Sequence, residues 1–172
     1  MCAVRDGCSR RVIGWAIDEH MHTDLVQAAL SMAVAMRGEL ADEVILHADR
    51  GCQQYTSAQL SRFARGHNLV RSVGRTAVCW DNAQAESFWG TLKVEFYDRY
   101  LWPTKAAAKL AVGDWIERVY NRRRRHSSIG MISPVDSNTD SLRRHKPPDP
   151  VSTKRGQAPC RSKVLRSRER LF

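Results

Sequence analysis

Apolar residues fall in short runs set between polar or Gly-containing breaks, and the runs alternate between two periodicities. Residues 11–17 (Arg-Val-Ile-Gly-Trp-Ala-Ile) are rich in β-branched and aromatic types and predict a strand, with 2–4 a candidate second one. Thr23 is a suitable N-cap, after which Leu25, Ala28, Ala29, Met32 and Met36 recur at helical spacing until Gly38. Residues 43–47 (Glu-Val-Ile-Leu-His) form a short run expected to be a buried strand, delivering Asp49 just past its end. Thr56 or Ser57 caps a predicted helix through Leu60, Phe63 and Ala64, closing near Gly66, and 69–73 predicts a further strand. A Gly-containing loop, 74–80, leads to Asp81, a cap for a long helix through Phe96. Thr104 caps another, through Leu110, Trp115, Ile116 and Tyr120. The order strand–strand–helix–strand–helix–strand–helix–helix is an α/β pattern with crossover helices.

Beyond Ser137 periodicity vanishes, and 145–150 (His-Lys-Pro-Pro-Asp-Pro) breaks any regular element. One domain over 1–136 followed by a disordered basic tail, 137–172, is therefore expected. Charge sharpens that division. The chain carries a formal +10 at pH 7, yet 1–136 holds 18 basic against 15 acidic residues and 137–172 holds 10 against 3. A nucleic-acid partner is the natural reading of such a charge, because Lys and Arg that neutralise phosphates release condensed counterions. An incidental basic tail on a nearly neutral domain reads the numbers equally well. The five cysteines have no C-x-x-C pair and no ligand spacing with the six histidines, so reduced thiols in a cytosol are expected. No apolar run reaches the roughly 18–20 residues of a membrane span and no signal-peptide pattern opens the chain, which points to a soluble, cytoplasmic protein.

Two carboxylates stand out. Asp49 follows an apolar strand and Glu86 lies early in a helix, and sites in open α/β sheets collect just outside strand ends. Hard divalent ions are held by one or two carboxylates plus water and phosphate, and two such ions support phosphoryl transfer. Spacing alone favours the plainer alternative, in which Asp49 caps a turn and Glu86 is a solvated surface charge.

A family resemblance changes that balance. His47-Ala48-Asp49-Arg50-Gly51 followed by Tyr55-Thr56-Ser57, and Asp81-Asn82-Ala83 followed by Glu86-Ser87-Phe88 and Leu92-Lys93, resemble two signature blocks of insertion-sequence transposases with a retroviral-integrase-like core. Ser9-Arg10-Arg11 with Gly14-Trp15 resembles an earlier block. Tyr120-Asn121, Arg125-His126-Ser127, Gly130 and Pro134 resemble the closing one. The resemblance covers about 1–136. It implies a ribonuclease-H-like mixed sheet flanked by helices, a D-D-E carboxylate triad holding Mg²⁺ or Mn²⁺, and metal-dependent joining of transposon ends to target DNA. Asp49 takes the second Asp position and Glu86 the Glu position, as catalytic and metal-binding residues. Lys93 and the cluster Arg122, Arg123, Arg124 and Arg125 would meet DNA phosphates, though each reads equally as solvated charge at a helix surface or end. Trp15, Phe88 and Trp115 are expected in the core rather than stacked on bases.

Two departures qualify the resemblance. The family's first Asp lies on a strand upstream of the Ser9–Trp15 block, and only eight residues precede Ser9 here, so the central strand of the sheet is expected to be absent. Asp6 is not assigned its role. Such a loss would leave backbone donors and acceptors unpaired between the strands at 2–17 and those at 44–73. Thirty-six residues separate Asp49 from Glu86, one more than the family's usual spacing, with Gln53-Gln54 supplying the extra residue in a turn. The expectation is a transposase core that does not transfer strands by itself, working as a homo-oligomer or with an upstream transposase subunit near the nucleoid. The alternative is a non-catalytic DNA-binding or interfering subunit.

Overall fold

The computed structural model describes residues 1–38, 40, 43–48, 57–73, 83–145 and 164–169. Its elements follow the predicted order: β1 (Cys2–Asp6), β2 (Val12–Ala16), α1 (Thr23–Arg37), β3 (Val44–Ala48), α2 (Ala58–Gly66), β4 (Leu69–Val73), α3 (Ala83–Glu95) and α4 (Lys105–Asp114). Helix α4 runs on into a π-helical turn, Trp115–Tyr120. Two further elements follow: α5 (Pro134–His145), which runs into the stretch expected to be irregular, and β5 (Val164–Glu169), which lies within it.

Local chemistry explains the boundaries. Ser57 Oγ accepts from Leu60 N at 3.2 Å and Thr104 Oγ1 from Ala107 N at 3.1 Å, so both predicted caps are made. Thr23 instead is the first helical residue of α1, and its N-cap, His22, makes no side-chain cap bond. The Asp81 cap lies outside the described residues.

The five strands form one mixed sheet in the order β2-β1-β5-β3-β4. Strands β1 and β2 pair antiparallel, with Ala3 opposite Trp15, and β3 and β4 pair parallel, with Leu46 opposite Arg71. Alternation along β1 sends successive side chains to opposite faces. Cys2 and Val4 join Leu25, Ala29, Leu30, Leu46 and Leu60 beneath α1 and α2. Met1 and Ala3 join Phe88, Leu92, Trp115, Ile116 and Tyr120 beneath α3 and the π turn. The molecule is thus a sheet with helices on both faces, as the α/β pattern requires. Trp115 and Phe88 are buried and Trp15 packs against the same cluster, all as core.

Gly14 lets α1 lie directly on β2. A Cβ built there would overlap the carbonyl oxygen of Ala29 and stand 2.7 Å from Ala33 N, both rigid backbone. Asp6, 3% exposed, is consumed by local structure: it accepts from Cys8 N and Ser9 Oγ and pairs with Arg37 at 2.5 Å. It is a turn-and-helix anchor.

The expectation of disorder from 137 onward is corrected in two places. Helix α5 continues through His145, because Ser133 Oγ accepts from Asp136 N and donates to the Asp136 carboxylate, a reciprocal cap across S-x-x-D. The boundary drawn at Asp136 therefore falls inside a helix. Strand β5 lies in the centre of the sheet, antiparallel to β1 (Cys2 opposite Glu169, Arg5 opposite Arg166) and parallel to β3 (Ile45 opposite Val164, Ala48 opposite Ser167). Backbone groups of β1 and β3 that face each other across the sheet find their partners in β5, which outweighs the polar composition of Val-Leu-Arg-Ser-Arg-Glu.

Two outcomes test this packing. Gly14→Ala is expected to destabilise by about 2 kcal/mol or more, read as a lowered denaturant midpoint, since neither Ala29 nor Ala33 can withdraw without moving α1. In Glu169→Cys the new thiol faces Cys2, and directly opposed antiparallel residues bring Cβ atoms to about 4.5–5.5 Å, near the reach of a disulfide. Mild oxidation should give an intrachain bond to Cys2 by peptide mass mapping; bonding only to other cysteines would contradict the register.

Candidate functional site

The residues singled out in the sequence distribute over three elements. Glu86 sits in the first turn of α3 with its side chain exposed, and Lys93 is exposed on the same helix seven residues on, about two turns along the same side. Phe88 and Leu92, on the opposite side, bury that helix against Met1, Ala3 and Val12. Asp49 and Arg50 lie outside the described residues, so the structure brings Asp49 no closer to Glu86 than its place after β3, which ends at Ala48. His47, the residue two before it, has Nδ1 3.1 Å from Ser72 Oγ on β4. Among the described residues no group of three His, Cys, Asp or Glu side chains is arranged to hold a metal ion.

The four consecutive arginines divide by role. Arg124 pairs with Glu95 at the end of α3. Arg125 donates to the carbonyl of Met131 at 3.1 Å, bracing the following loop. Arg122 and Arg123 are exposed and make no ion pair among the described residues, so their heads are available to a polyanion. Solvent-facing guanidiniums at a helix end gain little from structure, whereas phosphate offers bidentate, charge-assisted bonds.

Two residues of the closing block have jobs that spacing did not disclose. Asn121 is fully buried, and its side-chain amide brackets Val12: Oδ1 accepts from Val12 N and Nδ2 donates to Val12 O, each at 2.9 Å. Since β2 is an edge strand, the amide stands in for a neighbouring strand and fixes the π turn against the sheet. The π turn puts it there, with Asn121 N bonded to Ile116 O, five residues back. His126 is held in the loop by backbone bonds to Ile132 and Met131, with its ring edge-on to Tyr120 at 5.1 Å. Burial, then the guanidiniums of Arg124, Arg5 and Arg10, push its pKa down to about 4, against a smaller opposing pull from Glu95. An Asn and a His close to a Tyr in an otherwise basic run were the signals available in the sequence.

Similarity to known proteins agrees with this architecture. The family described as Integrase core domain matches twice, over residues 1–79 and over residues 67–134. The chain is 40% identical over 142 residues to the transposase InsF for insertion sequence IS3A of Escherichia coli (strain K12), covering 83% of this chain and 49% of that protein. It is 36% identical over 135 residues to an uncharacterised 31 kDa protein of insertion element IS600 from Shigella sonnei, covering 78% and 49%. The chain spans about half the length of the curated relatives it matches. It belongs to the integrase-core family of insertion-sequence transposases.

The His126 shift has a consequence for stability. Its folded pKa lies below the unfolded value near 6.5, so folding favours the neutral ring. Stability is unaffected above about pH 6.5 and falls as the pH drops from there toward 4, where the unfolded chain binds a proton the folded chain refuses. His126→Gln should flatten that part of the pH–stability curve; an unchanged slope would show that other groups produce it.

Proposed function

We propose that this chain is the catalytic-core unit of a DNA transposition system, binding DNA and a divalent metal but not transferring strands by itself. The family membership supports the transposition setting, and the mixed sheet supports a ribonuclease-H-like reading of the fold. The observation that carries the second half is the occupant of the sheet's centre. The resemblance assigns that place to the strand bearing the first Asp, and here it is held by β5, which sets Val164, Leu165, Arg166 and Ser167 abreast of β3 with no carboxylate among them.

Asp49 and Glu86 would hold Mg²⁺ or Mn²⁺, an all-oxygen donor pair suited to hard cations, with Glu86 exposed to solvent and substrate. When bound, such ions activate an attacking oxygen and stabilise a leaving one in phosphoryl transfer. Arg122, Arg123 and Lys93 bind and orient the DNA backbone, while Arg124 and Arg125 keep the loop that presents them in place. The unit works with transposon-end and target DNA, as a homo-oligomer or beside a further transposase subunit, in the cytoplasm at the nucleoid. No helix among the described residues is long and apolar enough to cross a membrane. Exposure of Arg122 and Arg123 also favours a second reading, a DNA-binding subunit that interferes with transposition rather than taking part in it.

Both halves are measurable on the full chain. Replacing Arg122 and Arg123 by Ala should weaken duplex binding across sequences and shallow the log K versus log salt slope by about 1–2, about 0.9 for each phosphate no longer neutralised. An unchanged slope would remove these arginines from the interface. With transposon-end oligonucleotides and Mn²⁺, no joined product is expected from the chain alone, and metal-dependent joining lost in Glu86→Gln would overturn the account of the central strand.

A further inference from the structure

Near Tyr120 the fold gathers basic side chains, and some of their nitrogens are buried and unmatched among the described residues. Arg5, on β1, is 4% exposed; its Nη1 donates to Tyr120 Oη at 3.4 Å and its Nη2 is buried with no acceptor. The His126 ring lies edge-on to the same phenol, and its Nε2 is also buried without a partner. Arg124 spends one guanidinium nitrogen on Glu95, while its Nε is buried and unmatched. Arg10 lies close enough to act on His126 as well. Among the described residues, one nitrogen each of Arg5, Arg124 and His126 is thus buried without a partner near Tyr120 and Glu95. Buried polar nitrogens normally have partners, and these three unmatched ones mark a place where a further group fits.

We infer that Arg5, Arg124 and His126 form a binding site for a single phosphoryl oxyanion. The donor set contains fork-shaped guanidiniums and one imidazole, against which the described residues set the Tyr120 hydroxyl and the Glu95 carboxylate as acceptors, and the nitrogens left over suit a tetrahedral anion with several lone pairs. Arg5 makes the floor. Arg124, whose side chain is 29% exposed, and the half-buried His126 make the open side. Glu95 lies nine residues beyond Glu86 on α3, so the site stands about 13 Å along the helix from the candidate catalytic carboxylate. It belongs to the sheet-and-π-turn junction rather than to the metal site. A phosphate in it comes either from a DNA backbone or from solution, and only the DNA source rests on the transposition reading above.

A bound anion reverses the charge that His126 feels from Arg5, Arg10 and Arg124, and adds to the pull of Glu95. Its pKa must therefore rise on binding, and binding must strengthen as pH falls. The test follows the assigned His126 ring resonances of the full chain by NMR during pH titrations, without addition, with inorganic phosphate, and with a short duplex. A rise of at least one pKa unit with phosphate, saturating with concentration, is expected. Arg124→Gln should weaken phosphate binding about tenfold, and Arg5→Met should abolish the shift. If the duplex produces the rise at far lower concentration and phosphate competes with it, the source is the DNA backbone; if phosphate alone produces it, the site serves a free oxyanion and the transposition reading is untouched. No movement of His126 with either ligand, or an equal movement in Arg124→Gln, overturns the site.

Discussion

Backbone pairing at the middle of the sheet is the constraint on which the rest of this fold depends. Strands β1 and β2 form one ribbon and β3 and β4 another, and each presents a row of amides and carbonyls toward the other. Unpaired and buried, those groups would each cost about as much as a lost hydrogen bond. Apolar surface is committed on both sides of the same gap: Cys2, Val4 and Leu46 lie beneath α1, and Ala3 lies beneath α3. Whatever extended segment enters the gap joins the two ribbons into one sheet and closes both cores together. In this chain that segment is β5.

The occupant is chemically unusual for its position. Central strands covered on both faces are commonly continuous apolar runs, whereas β5 has two apolar residues out of Val-Leu-Arg-Ser-Arg-Glu. Backbone demand, which every residue except Pro can meet, decides the placement here rather than side-chain preference. In register, Arg166 of β5 stands opposite Arg5 of β1 and abreast of His47 of β3.

Much of this is legible from residue order. Period-two and period-3.6 patterns place β1 to β4 and α1 to α4 within a few residues, since those elements have one clearly apolar face and ordinary caps at Ser57 and Thr104. Helix α5 escapes such a reading because its cap, Ser133 with Asp136, sits on the boundary where apolar periodicity fades. The π turn reads as ordinary helix, since one extra residue per turn leaves no compositional mark, and with it goes the strand-like role of Asn121. Strand β5 is hidden by charge: six residues in a basic stretch carry no alternation, and only the unmet hydrogen bonds of distant strands call them into the sheet. Of the candidate site, Glu86 and Lys93 lie on one side of one helix, while in the arginine cluster Arg124 pairs with Glu95 and Arg125 bonds the Met131 carbonyl.

The central claim is that 164–169 is an interior strand. Hydrogen–deuterium exchange of the full chain, resolved to single amides, tests it most directly. Interior strands exchange only through large-scale opening, so amides within Val164–Glu169 should be protected to an extent comparable with those of β1. Exchange of that segment within seconds, with β1 and β3 protected nonetheless, would show that the sheet closes without it and would contradict the account.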